Sequence, residues 1–180
     1  MKAKRGTDSH VAQRALPMRT FSQSLPMALL RAREAVMRRF RPGLRQHGVT
    51  EQQWRVLRAL AHSGPMEVTE LASATFLLAP SLSRILPDME ARALIKRTQA
   101  DADLRRNVIS LEPKGLRLIV SHAPFSEATY AEIARSFGSE RLSHLFLLLQ
   151  ELEEVLQTRE AARAQPRVPA RKRGRQQGRI

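Results

Sequence analysis

Between Ser24 and Gly48, Leu25, Leu29, Ala32, Val36 and Phe40 recur three or four residues apart. Leu30, Met37 and Leu44 form a second stripe at the same kind of spacing, and Arg33 lies on it. That period predicts a helix with an apolar face. Ser24 stands where a cap belongs and Pro26 falls in the first turn, where a missing N–H costs little. Pro42-Gly43 is expected to bend or end the helix. "TEQQWRVLRALAHSGP" follows. Its Thr50 has Gln53 three residues on, the pattern of a capping box, and Trp54, Leu57, Leu60 and Ala61 make a buried face before Gly64-Pro65 stops it.

"TELASATF" predicts a short helix, capped by Thr69. The turn "FLLA" leads into a second short helix, with Pro80 in its first turn and Leu82, Ile85, Leu86 and Met89 facing inward. "ALIKRTQ" and "NVISL" read as strands around the polar turn "ADADLRR", a hairpin with a charged tip. Two long helices close the pattern, one starting near Pro113 and one capped by Ser139. Leu142, Leu145, Phe146, Leu149, Leu152 and Leu156 line one side of the last, and Leu147, Leu148 and Val155 widen the band. A band that broad exceeds what one small core needs and suggests burial against a second chain. The predicted fold is therefore mainly α, a winged helix-turn-helix flanked by long N- and C-terminal helices, which the family resemblance given below implies form a dimerisation region.

Charge changes this picture less than its total suggests. The formal net charge is +14 over 180 residues. Residues 1–22 hold five basic groups against Asp8, and residues 158–180 hold eight against Glu160, which leaves +3 for the middle. Both ends are poor in large apolar residues and are predicted to stay without fixed structure. The expected organisation is a basic tail over 1–22, a domain over 23–157 and a basic tail over 158–180. Within that domain about 66–112 form the DNA-binding part, and about 24–47 and 113–157 the dimerisation helices. No cysteine is present, so disulfides and thiolate metal sites are excluded and a reducing cytoplasm is expected. No apolar run reaches the roughly 20 residues a membrane helix needs, and the basic N-terminus lacks the apolar core of a secretory signal.

In a helix-turn-helix the first part of the second helix meets base edges. Pro80, Ser81, Ser83 and Arg84 occupy that part, off the core stripe. Arginine can grip guanine bidentately and serine bonds bases or phosphates adaptably. An ordinary exposed helix start, with Ser81 helping to cap it, is the plainer alternative. Arg105 and Arg106 at the hairpin tip suit the concentrated negative potential of a narrow minor groove, or form a solvated charged turn. Thr69 is a cap that could also donate to a phosphate at a helix N-terminus.

The segments "TEQQWRVLRAL", "LAPSLSRILPDMEARALIKR" and "DLRRNVISLEPKG" resemble the MarR family of bacterial transcription regulators. "LPMALLRAREAVMRRFRP" resembles in particular the branch that governs homoprotocatechuate degradation. The resemblance covers roughly residues 24–157, and the Asp103-x-Arg105 wing followed by "SLEPKG" is its most telling signature. It implies a homodimer joined through the first and last helices, and a repressor that releases its operator when a small ligand binds, often an aromatic acid. It also implies that Arg105 reaches into the minor groove while Asp103 orients it. Two departures stand out: Pro87 lies inside the recognition helix, where a kink or loosened turn is expected, and Ala79 occupies the place of a Ser or Thr cap.

For the ligand, Arg33 interrupts an apolar stripe and would take a carboxylate bidentately. Trp54 is the one tryptophan and either stacks on an aromatic ring or fills the core. Arg31 and His47 are neighbours by helix and turn spacing. Arg33 has a plainer reading as well, a pair with Glu34 on a partner helix or with another acid across the dimer. Walker loop, nucleophile elbow, HExxH and cysteine nucleophile are all missing. His10, His47, His62, His122 and His144 show no metal-ligand spacing to one another. No enzyme activity, cofactor or metal is therefore predicted. The alternative function is a non-specific architectural nucleic-acid binder driven by the basic tails, which would bind with a steep salt dependence and no sequence preference.

Overall fold

The computed structural model describes residues 20–100 and 103–164, and only the backbone of residues 22, 100, 103–106 and 160–164. Most of both predicted tails, residues 1–19 and 165–180, lies outside it. A 3-10 turn, Phe21–Gln23, precedes α1 (Leu25–Gln46), α2 (Glu51–Ser63), β1 (Met66–Glu67), α3 (Val68–Thr75), α4 (Ala79–Ala91), β2 (Ile95–Ala100), β3 (Asp103–Leu111), α5 (Pro113–Phe137) and α6 (Ser139–Ala164). This is the predicted order with two additions, the 3-10 turn, which begins within the predicted tail, and β1, each too short to leave a periodic trace. The chain divides into two compact units, Met1–Thr129 and Tyr130–Ile180.

In the first unit the core gathers around α2. Val56, Leu57 and Leu60 are buried together with Leu44, Leu71, Leu82, Leu86, Met89, Leu94, Ile95, Ile109 and Ile119. Trp54 packs only partly against this core, and Ala61, expected inside, is exposed. Three antiparallel strands in the order β1-β3-β2 make the sheet. β2 and β3 run in register from Ile95–Leu111 to Gln99–Asn107, after which the pairing jumps to Ala100–Asp103. The hairpin is as predicted, but strand pairing reaches into the residues read as its polar turn.

Several local expectations are corrected. The Thr50–Gln53 capping box forms, with Gln53 N–H donating to Thr50 Oγ1 at 3.2 Å and Thr50 N–H to Gln53 Oε1 at 2.9 Å. Thr69 does not cap α3: Glu67 holds that position, and Glu70 Oε2 accepts its N–H at 2.8 Å. Glu67 and Glu70 carry the same three-residue spacing, so Thr69 falls inside the first turn. Ser24 sits at the N-cap of α1 without a side-chain bond, and Ser139 is the first residue of α6 rather than its cap. Leu78, not Ala79, is the N-cap of α4. Pro42 neither ends nor interrupts α1, which continues to Gln46 because Gly43 and Leu44 are buried there. α6 extends to Ala164, seven residues past the predicted boundary at 157, through "TREAARA", whose Arg, Glu and Ala residues are strong helix formers.

In the second unit, α6 leaves Leu145, Phe146, Leu147, Leu148, Leu149, Val155 and Leu156 exposed. Leu25, Leu29, Leu30 and Val36 on α1 are also exposed, so the front of the predicted α1 stripe is uncovered while Phe40 and Leu44 at its rear are buried.

Gly115 in the first turn of α5 lies under the Leu94 carbonyl, which accepts the Glu112 N–H at 3.1 Å. A Cβ at Gly115 would come within 2.3 Å of that oxygen, so α5 docks against the end of β2 only with glycine here. Gly115→Ala is expected to cost about 1–3 kcal/mol, read from urea unfolding. An unchanged midpoint would show that the α5 start shifts freely.

Candidate nucleic-acid and ligand interfaces

α4 has one face fixed by burial. Leu82, Leu86 and Met89 are fully buried and Ile85 half-buried. A 3.6-residue period then turns Pro80, Ser83, Arg84 and Pro87 outward, and all four are exposed, while Ser81 is half-buried. Pro87 does not break α4, which is continuous from Ala79 to Ala91. Links from three directions hold the helix. Gln53 Nε2 of α2 donates to Asp88 Oδ2 at 2.8 Å, Arg92 pairs with the same carboxylate at 3.4 Å, and Glu90 Oε1 accepts the Arg97 N–H of β2 at 3.1 Å. The turn before it is pinned as well. Arg55 donates to the Thr75 carbonyl at 2.8 Å, and Phe76 closes α3 in a left-handed conformation, φ 51°.

Of the other predicted DNA contacts, Thr69 is exposed in the first turn of α3. Asp103, Arg105 and Arg106 lie on the backbone of β3, in the stretch where the register jumps. Their side chains are outside the described residues. Lys96 is exposed on β2.

The predicted ligand residues divide into an ion network and an aromatic cluster. Arg33 donates to Glu34 at 2.9 Å and to Glu51 at 2.6 Å, and Arg41 donates to Glu34 at 2.7 Å and to the other oxygen of Glu51. Two arginines and two glutamates thus tie α1 to the start of α2, and the pairing of Arg33 with Glu34 lies within one chain. Burial alone would raise the Glu51 carboxyl, but hydrogen bonds from Arg41 and Arg33 outweigh it and hold the group below the ordinary carboxylate range. The same bonds, from Glu34 first and then Glu51, raise Arg41. Arg55 is lowered, by burial first and then by the charge of Arg33. Arg31, two positions from Arg33, projects from a different side of α1.

Trp54 and His47 meet through a residue that sequence reasoning passed over. His122 of α5 is buried, with its ring 4.5 Å from Trp54, 5.3 Å from His47 and 5.5 Å from Phe125. Its Nδ1 is buried without a hydrogen-bond partner. Gly43 lies against this cluster, since a Cβ there would come within 2.3 Å of Phe125 and 2.8 Å of His122. Helical phase was the available signal: Gly115, Ile119 and His122 share one face and all three are buried. Glu51 left none, because it meets Arg33 across 18 positions. Among the described residues no three His, Cys, Asp or Glu side chains form a metal-ligating group, and no helix is long and apolar enough to cross a membrane.

The family signature of MarR regulators matches residues 47–106, from the end of α1 to the wing. The homoprotocatechuate degradative operon repressor of Escherichia coli is 41% identical over 128 residues, which span 71% of this chain and 86% of that protein. The chain belongs to the MarR family. As a MarR-family protein it is a DNA-binding transcription regulator, and the protein it matches is a repressor rather than an enzyme. The crystal structure of the transcriptional regulator PA4135 shares the fold at a TM-score of 0.71 and 43% identity, covering 73% of this chain and 97% of that one. NadR in complex with 4-hydroxyphenylacetate does so at 0.65 and 35%, covering 76% and 97%. These likenesses confirm a MarR winged helix-turn-helix.

Burial, with His47 alongside, pushes the His122 imidazole below its usual value. A lowered histidine keeps its full contribution to stability above its unfolded value of about 6.5 and loses it as pH falls from there toward the folded value. Unfolding free energy is therefore expected to fall below about pH 6.5, by at most about 1.4 kcal/mol per pH unit from this group. The measure is urea unfolding between pH 8 and pH 5. His122→Phe should flatten that slope, and an undiminished slope would assign it to other groups.

Proposed function

We propose that this chain is a homodimeric, sequence-specific repressor that leaves its operator when a small aromatic acid binds. One observation carries the reading: α4 commits Leu82, Leu86 and Met89 to the core and so turns Ser83 and Arg84 outward, directly ahead of a β hairpin. In this reading Ser81, Ser83 and Arg84 meet base edges in the major groove, with Pro80 presetting the helix start. Thr69 donates to a phosphate. Arg105 and Arg106 lie over the adjacent minor groove, with Asp103 orienting Arg105. The exposed apolar side chains of α1 and α6 support pairing with a second copy through those helices.

For the effector, NadR binds 4-hydroxyphenylacetate, and the family match to a homoprotocatechuate operon repressor points to the same class of molecule. Arg33 is the proposed carboxylate anchor, Trp54 and His47 the flanking aromatic groups, and Arg31 a further cation on α1. Arg33 already serves Glu34 and Glu51, so an incoming carboxylate has to displace one of them. Arg33 is exposed, and the exchange keeps every guanidinium paired.

The test uses the full chain and an operator selected from a random duplex pool. Arg105→Ala is expected to weaken operator binding by about 1–3 kcal/mol without lowering the melting temperature. Deleting residues 165–180, beyond the end of α6, should leave sequence-specific binding in place. Loss of all binding on that deletion would favour a tail-driven, non-specific binder. In a thermal-shift screen of phenolic acids, a ligand at 100 times its Kd stabilises by about 2.7 kcal/mol, a shift of about 5–10 °C. Arg33→Ala should abolish that shift, and a shift of undiminished size would remove Arg33 as the anchor.

A further inference from the structure

The end of α4 that reaches toward DNA is not polar. Leu78, Ala79 and Pro80 are consecutive, apolar and exposed, and Leu78 is 77% exposed. Leu77 beside it is buried, so the turn is anchored by one leucine while the next is left in water. Leu78 is also the N-cap, with an extended backbone at ψ 144° and no side-chain bond to the helix. Its carbonyl accepts the N–H groups of Ser81 and Leu82 at 2.9 and 3.2 Å, but its side chain offers nothing to the remaining first-turn donors. Serine, threonine, asparagine or aspartate would satisfy one of them and stabilise the helix. A leucine here thus gives up a cap and gains little burial among the described residues.

The site has a chemistry that does call for it. Resting on the reading of α4 as the recognition helix, the geometry points to Leu78, with Ala79 and Pro80, as an apolar tip that reads the 5-methyl group of thymine in the major groove. Residues at the N-terminal end of such a helix are the ones that approach base edges. Among the base edges facing that groove, thymine alone presents a methyl, and apolar side chains are its matching contact. The occupant is continuous with the rest of the face: Ser81 and Arg84 follow the tip by one and two helical turns, so an A·T pair under Leu78 would neighbour the pairs they meet. Hydrogen bonds from Ser83 and Arg84 and methyl contact from Leu78 would then specify different positions of one half-site.

The experiment measures the full-length protein on its selected operator, with each thymine replaced singly by deoxyuridine, which lacks only the methyl. One thymine in each half-site is expected to lose about three- to fivefold in affinity, the worth of one buried methyl. Leu78→Ala should bind more weakly and bind the thymine and uracil versions alike at that position. Leu78→Ser keeps the position exposed and restores a cap, so it should melt higher than the parent while losing the same discrimination. That pairing separates base reading from helix stability. Specific binding with thymine–uracil discrimination intact in both variants, or with no uracil-sensitive position in the parent, overturns the methyl contact and leaves operator reading by Ser83 and Arg84 standing. A protein that selects no sequence from the pool overturns both readings.

Discussion

Helix α2 is held by a polar bond or ring contact toward each helix that matters for function, and the arrangement of the first unit depends on it. At its start Glu51 takes the hydrogen bonds of Arg33 and Arg41 from α1. One turn on, Gln53 holds Asp88 of α4, Trp54 meets His122 of α5, and Arg55 holds the last carbonyl of α3. The other face, Val56, Leu57 and Leu60, is core. Four functional groups thus fan out from the first five residues of one helix. Leaving any partly buried partner unsatisfied costs on the order of 1–3 kcal/mol, so α2 cannot shift without either breaking these bonds or carrying its neighbours along.

That geometry gives the proposed effector response a physical form. The network of two arginines and two glutamates balances in charge, and a ligand carboxylate adds one negative group to it. Whichever glutamate is displaced, the change falls on α1 and the first turn of α2, while Gln53 and Arg55 on the same helix hold the recognition helix and the turn before it. A ligand moves such an equilibrium only by the difference in its affinity for the two arrangements. In the proposed response Arg33 would supply that difference by bonding Glu51 in one arrangement and the ligand in the other.

Much of the fold was legible because the periodic signals were local. The inward stripe of α4 and the Thr50–Gln53 box each lie within a few residues and formed as read, and "NVISL" lies in β3, with Ile109 alone of the five fully buried. What escaped lies across long separations or in competition between near-equivalent residues. Gln53 meets Asp88 across 35 positions, and nothing local marks that pair. Thr69 against Glu67, and Ala79 against Leu78, were decided by where the chain leaves β1 and the α3 turn, and a one-residue difference in start changes the cap. Of the candidate site, Arg33, Trp54 and His47 were found by their residue types. Their partners Glu51, Arg41 and His122 were not, because a charged or imidazole side chain on a helix is usually a solvated one and only tertiary packing turns it inward.

Pro87 is the sharpest conflict between local rule and observed structure, and its resolution bears on the reading face. A proline inside a helix removes the bond to the carbonyl four residues back, here Ser83, at a cost of about 3 kcal/mol in a regular helix. Yet α4 runs unbroken, with Leu86 and Met89 on either side of Pro87 both buried. Pro87 itself is exposed, and so is Ser83, so the residue whose carbonyl loses its partner lies on the solvent side of the helix. The core stripe is buried both before and after the proline, and the Gln53–Asp88 bond fixes the residue directly after it. The residues proposed to meet DNA, Leu78 to Arg84, all lie ahead of Pro87, where buried Leu82 and the pinned α3 turn hold the helix.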